Sequence, residues 1–169
     1  MKYLLSSFSI AASAIGFARA TAPAQTPPSV TLTRLDCGTN AAPSDVARFS
    51  DTFAYTGLKV QLTFSCYLIR HGDDYLVWDT GNPVGNAPVA PKTSIVDLLA
   101  QLQLRPDQVK YVGISHYHGD HVGQAGSLPN ATLLIGKGDW DVLTDPKSSG
   151  SVNSAPLANW ITGGGKVDA

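Results

Sequence analysis

Apolar and polar residues alternate over residues 29–36, SVTLTRLD, which is the period of a strand with one buried face. Residues 37–57 lose that alternation and read as irregular and polar. Residues 58–70, LKVQLTFSCYLIR, read as one long strand or two short ones. His71, Gly72, Asp73 and Asp74 supply the tight-turn chemistry of a hairpin. Residues 75–79, YLVWD, then read as a strand with apolar residues on both faces. Residues 80–91, rich in Gly, Pro and Asn, are a loop.

Residues 94–104, SIVDLLAQLQL, have helical periodicity, with Ser94 as N-cap, Asp97 three residues on, and Pro106 as the stop. Strands are expected at 108–114 and 131–135, one or two helical turns at 120–127, and a short helix at 138–143. Beyond Ser148 the chain is rich in Ser, Gly and Asn, with one apolar cluster at 157–161. Hairpins followed by strand–helix–strand units predict an α/β layered fold around a mixed sheet.

The first twenty residues stand apart from that pattern. Lys2, an apolar small-residue stretch from Tyr3 to Phe17, and Ala18-Arg19-Ala20 make the pattern of a secretory signal peptide. The stretch is shorter than the ~20 residues of a spanning helix. Residues 1–20 are therefore expected to be a cleaved leader, and residues 21–169 one domain, periplasmic or secreted, with no stable membrane insertion. Composition adds little: 12 basic and 13 acidic residues give a formal net charge of −1, and every acid is Asp. With no basic patch, nucleic acid is excluded as a partner. Cys37 and Cys66 fall at or beside predicted strands, where a disulfide is geometrically feasible and an oxidising compartment permits it. Spacing alone cannot fix that geometry, and the sequence favours two buried thiols.

The chemistry is concentrated in one hexapeptide. Three of four histidines fall in His116-Tyr117-His118-Gly119-Asp120-His121, beside an Asp. Imidazole and carboxylate are the ligands zinc takes outside thiolate sites, and burying them unpaired is costly. The run follows a predicted strand, and on an extended backbone residues i, i+2 and i+4 share a face. His116, His118 and Asp120 should then converge, with His121 facing a second metal as the chain turns at Gly119. Tyr117 is either a site-lining or a packing residue.

Residues 115–123, SHYHGDHVG, match the S/T-H-x-H-x-D-H-x-G signature of the metallo-β-lactamase superfamily, which this chain resembles over about residues 30–145. Residues 77–81, VWDTG, resemble the family's D-T-G strand end. The resemblance implies an αββα sandwich and two Zn2+ ions, the first held by His116 and His118, the second by Asp120 and His121. Asp120 is also taken as the catalytic residue. The resemblance makes Asp79 a carboxylate that orients a ligand histidine; the residue pattern alone would make it a loop cap. Residues 116–143 look most like exported members near the N-acyl homoserine lactonases.

In that family the later half supplies a third His, a bridging Asp and a further His. No histidine here follows His121, and His71 sits in the predicted hairpin. The chain is expected to hold only the N-terminal half to two-thirds of the sandwich, leaving apolar surface exposed and self-association open. Two functions remain: a hydrolase that opens an ester, lactone or amide bond of a small molecule with metal-bound hydroxide, or a non-catalytic metal-binding fragment.

Overall fold

The structure, a computed structural model, describes residues 29–85, 91–148 and 150–169; the expected leader lies outside the described residues. In chain order the elements are β1 (Val30–Thr39), β2 (Ser44–Asp45), β3 (Lys59–Val60), β4 (Thr63–His71), β5 (Asp74–Trp78), α1 (Ile95–Gln101), β6 (Val109–Gly113), α2 (Gly119–Val122), β7 (Thr132–Leu134), α3 (Lys137–Thr144), α4 (Ala158–Ile161) and β8 (Val167–Asp168). Six strands form one sheet in the order β1-β4-β5-β6-β7-β8, and β2 pairs with β3 in a separate ribbon. The β1–β4–β5 pairs are antiparallel and the β5–β6–β7–β8 pairs parallel, the expected mixed sheet.

Register explains where the core sits. Leu35 faces Cys66, Leu68 faces Val77, Val77 faces Val112, and Val112 faces Leu133. These positions line one face, and all six are buried in the same cluster as Ile95 and Leu99 of α1 and Trp160 of α4. The alternate positions carry Leu32, Ile69, Leu76 and Tyr111 in one row across the sheet. That second face is only half-buried or exposed, with Leu32 at 65%. Among the described residues the molecule is thus one sheet with helices packed on one face, and the apolar residues expected on both sides of residues 75–79 are there.

Several local expectations need correction. Helix α1 is capped as expected, Ser94 Oγ accepting from Asp97 N at 3.1 Å. It stops before Pro106, however. Gln103 takes a left-handed φ of 61°, and Leu104 N donates back to Leu99 O, closing the helix end. Pro106 instead opens a separate short turn, Pro106–Gln108. The irregular C-terminal region contains a strand that its glycines concealed: β8 pairs in parallel with β7. Cys37 and Cys66 are bonded, with Cα atoms 5.8 Å apart, rather than two buried thiols. His71, placed in the hairpin turn by the sequence, is the exposed last residue of β4. Among the described residues no helix is long and apolar enough to cross a membrane.

Leu133 is fully buried between Val112 and Val167. Leu133→Ala should cost about 2–5 kcal/mol of unfolding free energy through lost burial and the cavity left behind. Urea denaturation followed by circular dichroism measures it; a loss below about 1 kcal/mol would contradict the packing of this seam.

Candidate metal centre

The C-terminal ends of β5 and β6 lie side by side, Trp78 opposite Gly113. Chain leaving these parallel strands carries the whole candidate site. After β6, Ile114 N still donates to Leu134 O at 3.0 Å, and then the backbone bends through Ser115, His116, Tyr117 and His118. His118 sits at the N-cap of α2, with its carbonyl accepting from His121 N and Val122 N. The motif is therefore a bend followed by one helical turn, not the continuous extended segment that alternation suggested.

The expected convergence is nonetheless present. One ligand atom each from His116, His118 and Asp120 lies within 4.8 Å of the others. His116 Nε2 and His118 Nδ1 are 2.9 Å apart. Two nitrogens on one tetrahedral zinc, at ~2.0–2.1 Å each, stand about 3.3 Å apart, so a small rotation accommodates an ion. His121 belongs to the same group: its ring centroid is 4.1 Å from that of His116, and its Nε2 is 3.4 Å from Asp120 Oδ2. His116, His118 and Asp120 converge on one point, and His121 lies beside them against His116 and Asp120. Tyr117 is partly packed against the core, with its ring 5.2 Å from that of His118.

Asp79 fixes this geometry. It is 6% exposed and sits in a left-handed conformation, φ 58°, directly after β5. Asp tolerates that region better than most residues because its short side chain makes local hydrogen bonds. Oδ1 accepts from Ser115 N at 2.8 Å, and Oδ2 accepts from Ser115 Oγ at 2.6 Å. Oδ2 also lies 2.8 Å from His121 Nδ1. A buried carboxylate needs such donors. With Nδ1 donating, His121 keeps Nε2 as the lone-pair nitrogen on the side of Asp120. The orienting role that the resemblance gave Asp79 and the loop role that its position gave it are both filled by one residue.

Sequence reasoning passed over three supporting residues. Thr80 is fully buried, and its N and Oγ1 both donate to His121 O, at 2.7 and 3.0 Å. Gln124 N donates to Thr80 Oγ1 at 3.1 Å. The Gln124 side chain accepts from Ile95 N and donates to Asn82 O, tying the start of α1 to the loop after β5. The one signal was a polar residue set among the small apolar residues Val122 and Ala125. Ser115 stood inside the motif, but its bond to Asp79 had no sequence signature.

Comparison with known proteins agrees with the fold and the motif. Residues 64–140 match the family described as Metallo-beta-lactamase superfamily. The chain is similar to that family over this stretch, which is less than half of its length. Among curated relatives, it is 28% identical over 127 residues to N-acyl homoserine lactonase AttM of Rhizobium johnstonii, an alignment covering 66% of this chain and 44% of that protein. It is 26% identical over 102 residues to an N-acyl homoserine lactonase of Bacillus thuringiensis, covering 50% and 41%. Among solved structures, a quorum-quenching N-acyl homoserine lactone lactonase superposes with a TM-score of 0.63 at 20% identity, over 81% of this chain and 56% of that one. The dizinc quorum-quenching lactonase AidC superposes with 0.57 at 13% identity, over 86% and 60%. The chain thus spans less than half the length of these curated relatives.

Asp79→Asn keeps the shape of the side chain but removes its charge and one acceptor. Zinc affinity, measured by competition with a chromogenic chelator, should fall about 10- to 100-fold. Unchanged affinity in a folded variant would show that Asp79 does not hold His121 for metal.

Proposed function

We propose that this chain forms the divalent-metal centre of a hydrolase acting on an ester, lactone or amide bond, with an N-acyl homoserine lactone as the first substrate to test. The observation that carries the reading is the convergence of His116, His118 and Asp120 after one strand end, with His121 beside them and its Nδ1 tied to buried Asp79. The donor set, three imidazoles and a carboxylate, suits zinc, while manganese, iron or cobalt accept the same atoms. His116 and His118 would hold one ion, and Asp120 and His121 a second beside it. A bound cation supplies an acidified water and a Lewis-acid centre. In this reading Asp120 is the catalytic residue, orienting the attacking water by accepting a hydrogen bond from it. Asp79 keeps the His121 imidazole in one tautomer throughout.

Two further features support a small substrate with an apolar part. Strand β1 ends and β4 begins at the same end of the sheet where β5 and β6 end, as their pairing requires. The arm between β1 and β4 therefore leaves the sheet beside the metal centre, and it exposes Phe49, Phe53, Tyr55 and Leu58. The relatives named above are lactonases of acylated substrates by name. A second reading, one bound ion without turnover, is favoured by a different observation. Catalytic zinc takes three protein ligands and an open position. Four ligands shared by two ions leave two apiece, short of that number, so the donors present suffice for one ion and not for a two-metal site.

Zinc per chain, measured together with hydrolysis of N-hexanoyl homoserine lactone before and after chelation, decides between the two. Two zincs with chelator-sensitive turnover, both lost in His116→Ala and Asp120→Ala, are expected for the hydrolase. One zinc without turnover would replace that reading with the second, and no zinc would end both.

We also propose that the protein is exported. The leader pattern of residues 1–20 and the Cys37–Cys66 bond support this, since disulfides persist in oxidising compartments. Mass spectrometry of protein purified from its native cells should find Thr21 at the N-terminus; Met1 on the bulk of the protein would contradict cleavage.

A further inference from the structure

The bond between Cys37 and Cys66 is remote from the metal motif in sequence but not in packing. The β1–β4 ladder runs without a break from Val30 opposite His71 to Asp36 opposite Ser65, then jumps to Thr39 opposite Thr63. Cys37 and Gly38 fall in the gap, with no partner in the register. The covalent bond to Cys66 anchors β1 where ladder hydrogen bonding is interrupted.

That anchored stretch presses on the loop after β5. A Cβ built on Gly81 would stand 2.8 Å from Cys37 Cβ and 3.3 Å from both Cys37 O and Cys37 Sγ. Gly81 also has a φ of 70°, so glycine is required there on two counts. On the other side, a Cβ on Gly123 would stand 2.6 Å from Gly81 O. The loop 79–81 is therefore clamped between the disulfide and the residue that follows α2. It carries Asp79 and Thr80, which make the two sets of hydrogen bonds that orient His121.

We infer that the Cys37–Cys66 disulfide is a positioning device for the metal centre, so that metal affinity depends on the oxidation state of this pair. The inference rests on the metal-binding reading above. Opening the bond takes two electrons and two protons from an external dithiol or a pair of thiols, which leave as a disulfide. Cys37 is then tied to Cys66 only by packing, the clamp on Gly81 loosens, and Asp79 and Thr80 hold His121 in a broader range of positions. Binding and oxidation are reciprocal: metal held at the centre favours the closed disulfide by the same factor.

The test uses the full chain with Cys37→Ser and Cys66→Ser together, which removes thiols that would themselves bind zinc. Zinc affinity by chelator competition should fall about 10- to 100-fold against the oxidised protein. In the metal-free state, amide exchange at Thr80 and Ser115 should quicken. A folded variant with wild-type affinity and wild-type exchange would overturn the inference. Should the variant fail to fold, the wild-type chain is equilibrated in a glutathione buffer with and without manganese(II), a cation that thiols hold weakly. At manganese saturating by its own titration, the thiol–disulfide equilibrium should shift toward the disulfide about 10- to 100-fold, and no shift overturns the inference. If the oxidised protein takes up no metal at all, the metal-binding reading fails, and amide exchange still decides whether the disulfide positions the loop.

Discussion

The carboxylate of Asp79 is the constraint on which the site depends. It is a buried charge, and such a charge is tolerated only when hydrogen-bonded donors replace the water it has lost. Its three donors come from Ser115 and His121, both on the chain leaving β6, while Asp79 itself directly follows β5. Satisfying one side chain therefore draws two strand ends together and fixes Ser115 and His121, between which His116, His118 and Asp120 lie. Hydrogen bonds to a charged acceptor contribute about 1.5–3 kcal/mol each, whereas leaving the acceptor unsatisfied costs as much or more. The left-handed backbone at Asp79 is held by the same contacts, which is the usual setting for strain in a functional loop.

Around this carboxylate the structure works by exclusion of space as much as by attraction. Gly81 and Gly123 let two backbone segments approach where a side chain would keep them apart. Thr80 and Gln124 then occupy the seam with polar atoms that all find partners, the condition under which a buried polar network stiffens a site. The network reaches the first turn of α1 through Ile95 N, so the helix packed on the sheet and the metal motif share one set of hydrogen bonds. Of the four candidate ligands His118 is exposed and His116, Asp120 and His121 are half-buried, as a site that admits a ligand must be.

The sequence made the chemistry legible and left its geometry obscure. His116, His118, Asp120 and His121 stood out because these residue types seldom crowd together without a cation to share. The argument for their convergence used strand alternation, and the backbone instead bends and forms a helical turn at Gly119–Val122. Alternation was readable in β1 because it has a buried face with a period of two, and β5 was readable as a short apolar run after turn residues. Strand β8 was not, since two residues after three glycines carry no period. The end of α1 was misread because Pro106 is a strong stop signal and left-handed Gln103 gives none. The disulfide was undecidable from spacing, as it depends on where an irregular ladder places Cys37 against Cys66.

The open face of the sheet and the candidate metal centre are joined by Trp78. Its ring lies over Gly113, where even a Cβ would collide with it, and its Nε1 donates to Ser115 Oγ at 3.0 Å. Ser115 Oγ in turn donates to Asp79. Trp78 is 37% exposed on the face that also carries Leu32, Ile69, Leu76 and Tyr111. Any layer packed on that face would remove water from the indole and from the Ser115–Asp79 bond beneath it. Electrostatic interactions strengthen as water leaves, so covering the sheet would tighten the hold on His121 without touching a ligand. Burial of an apolar surface and order at the candidate metal centre are thus one event in this fold.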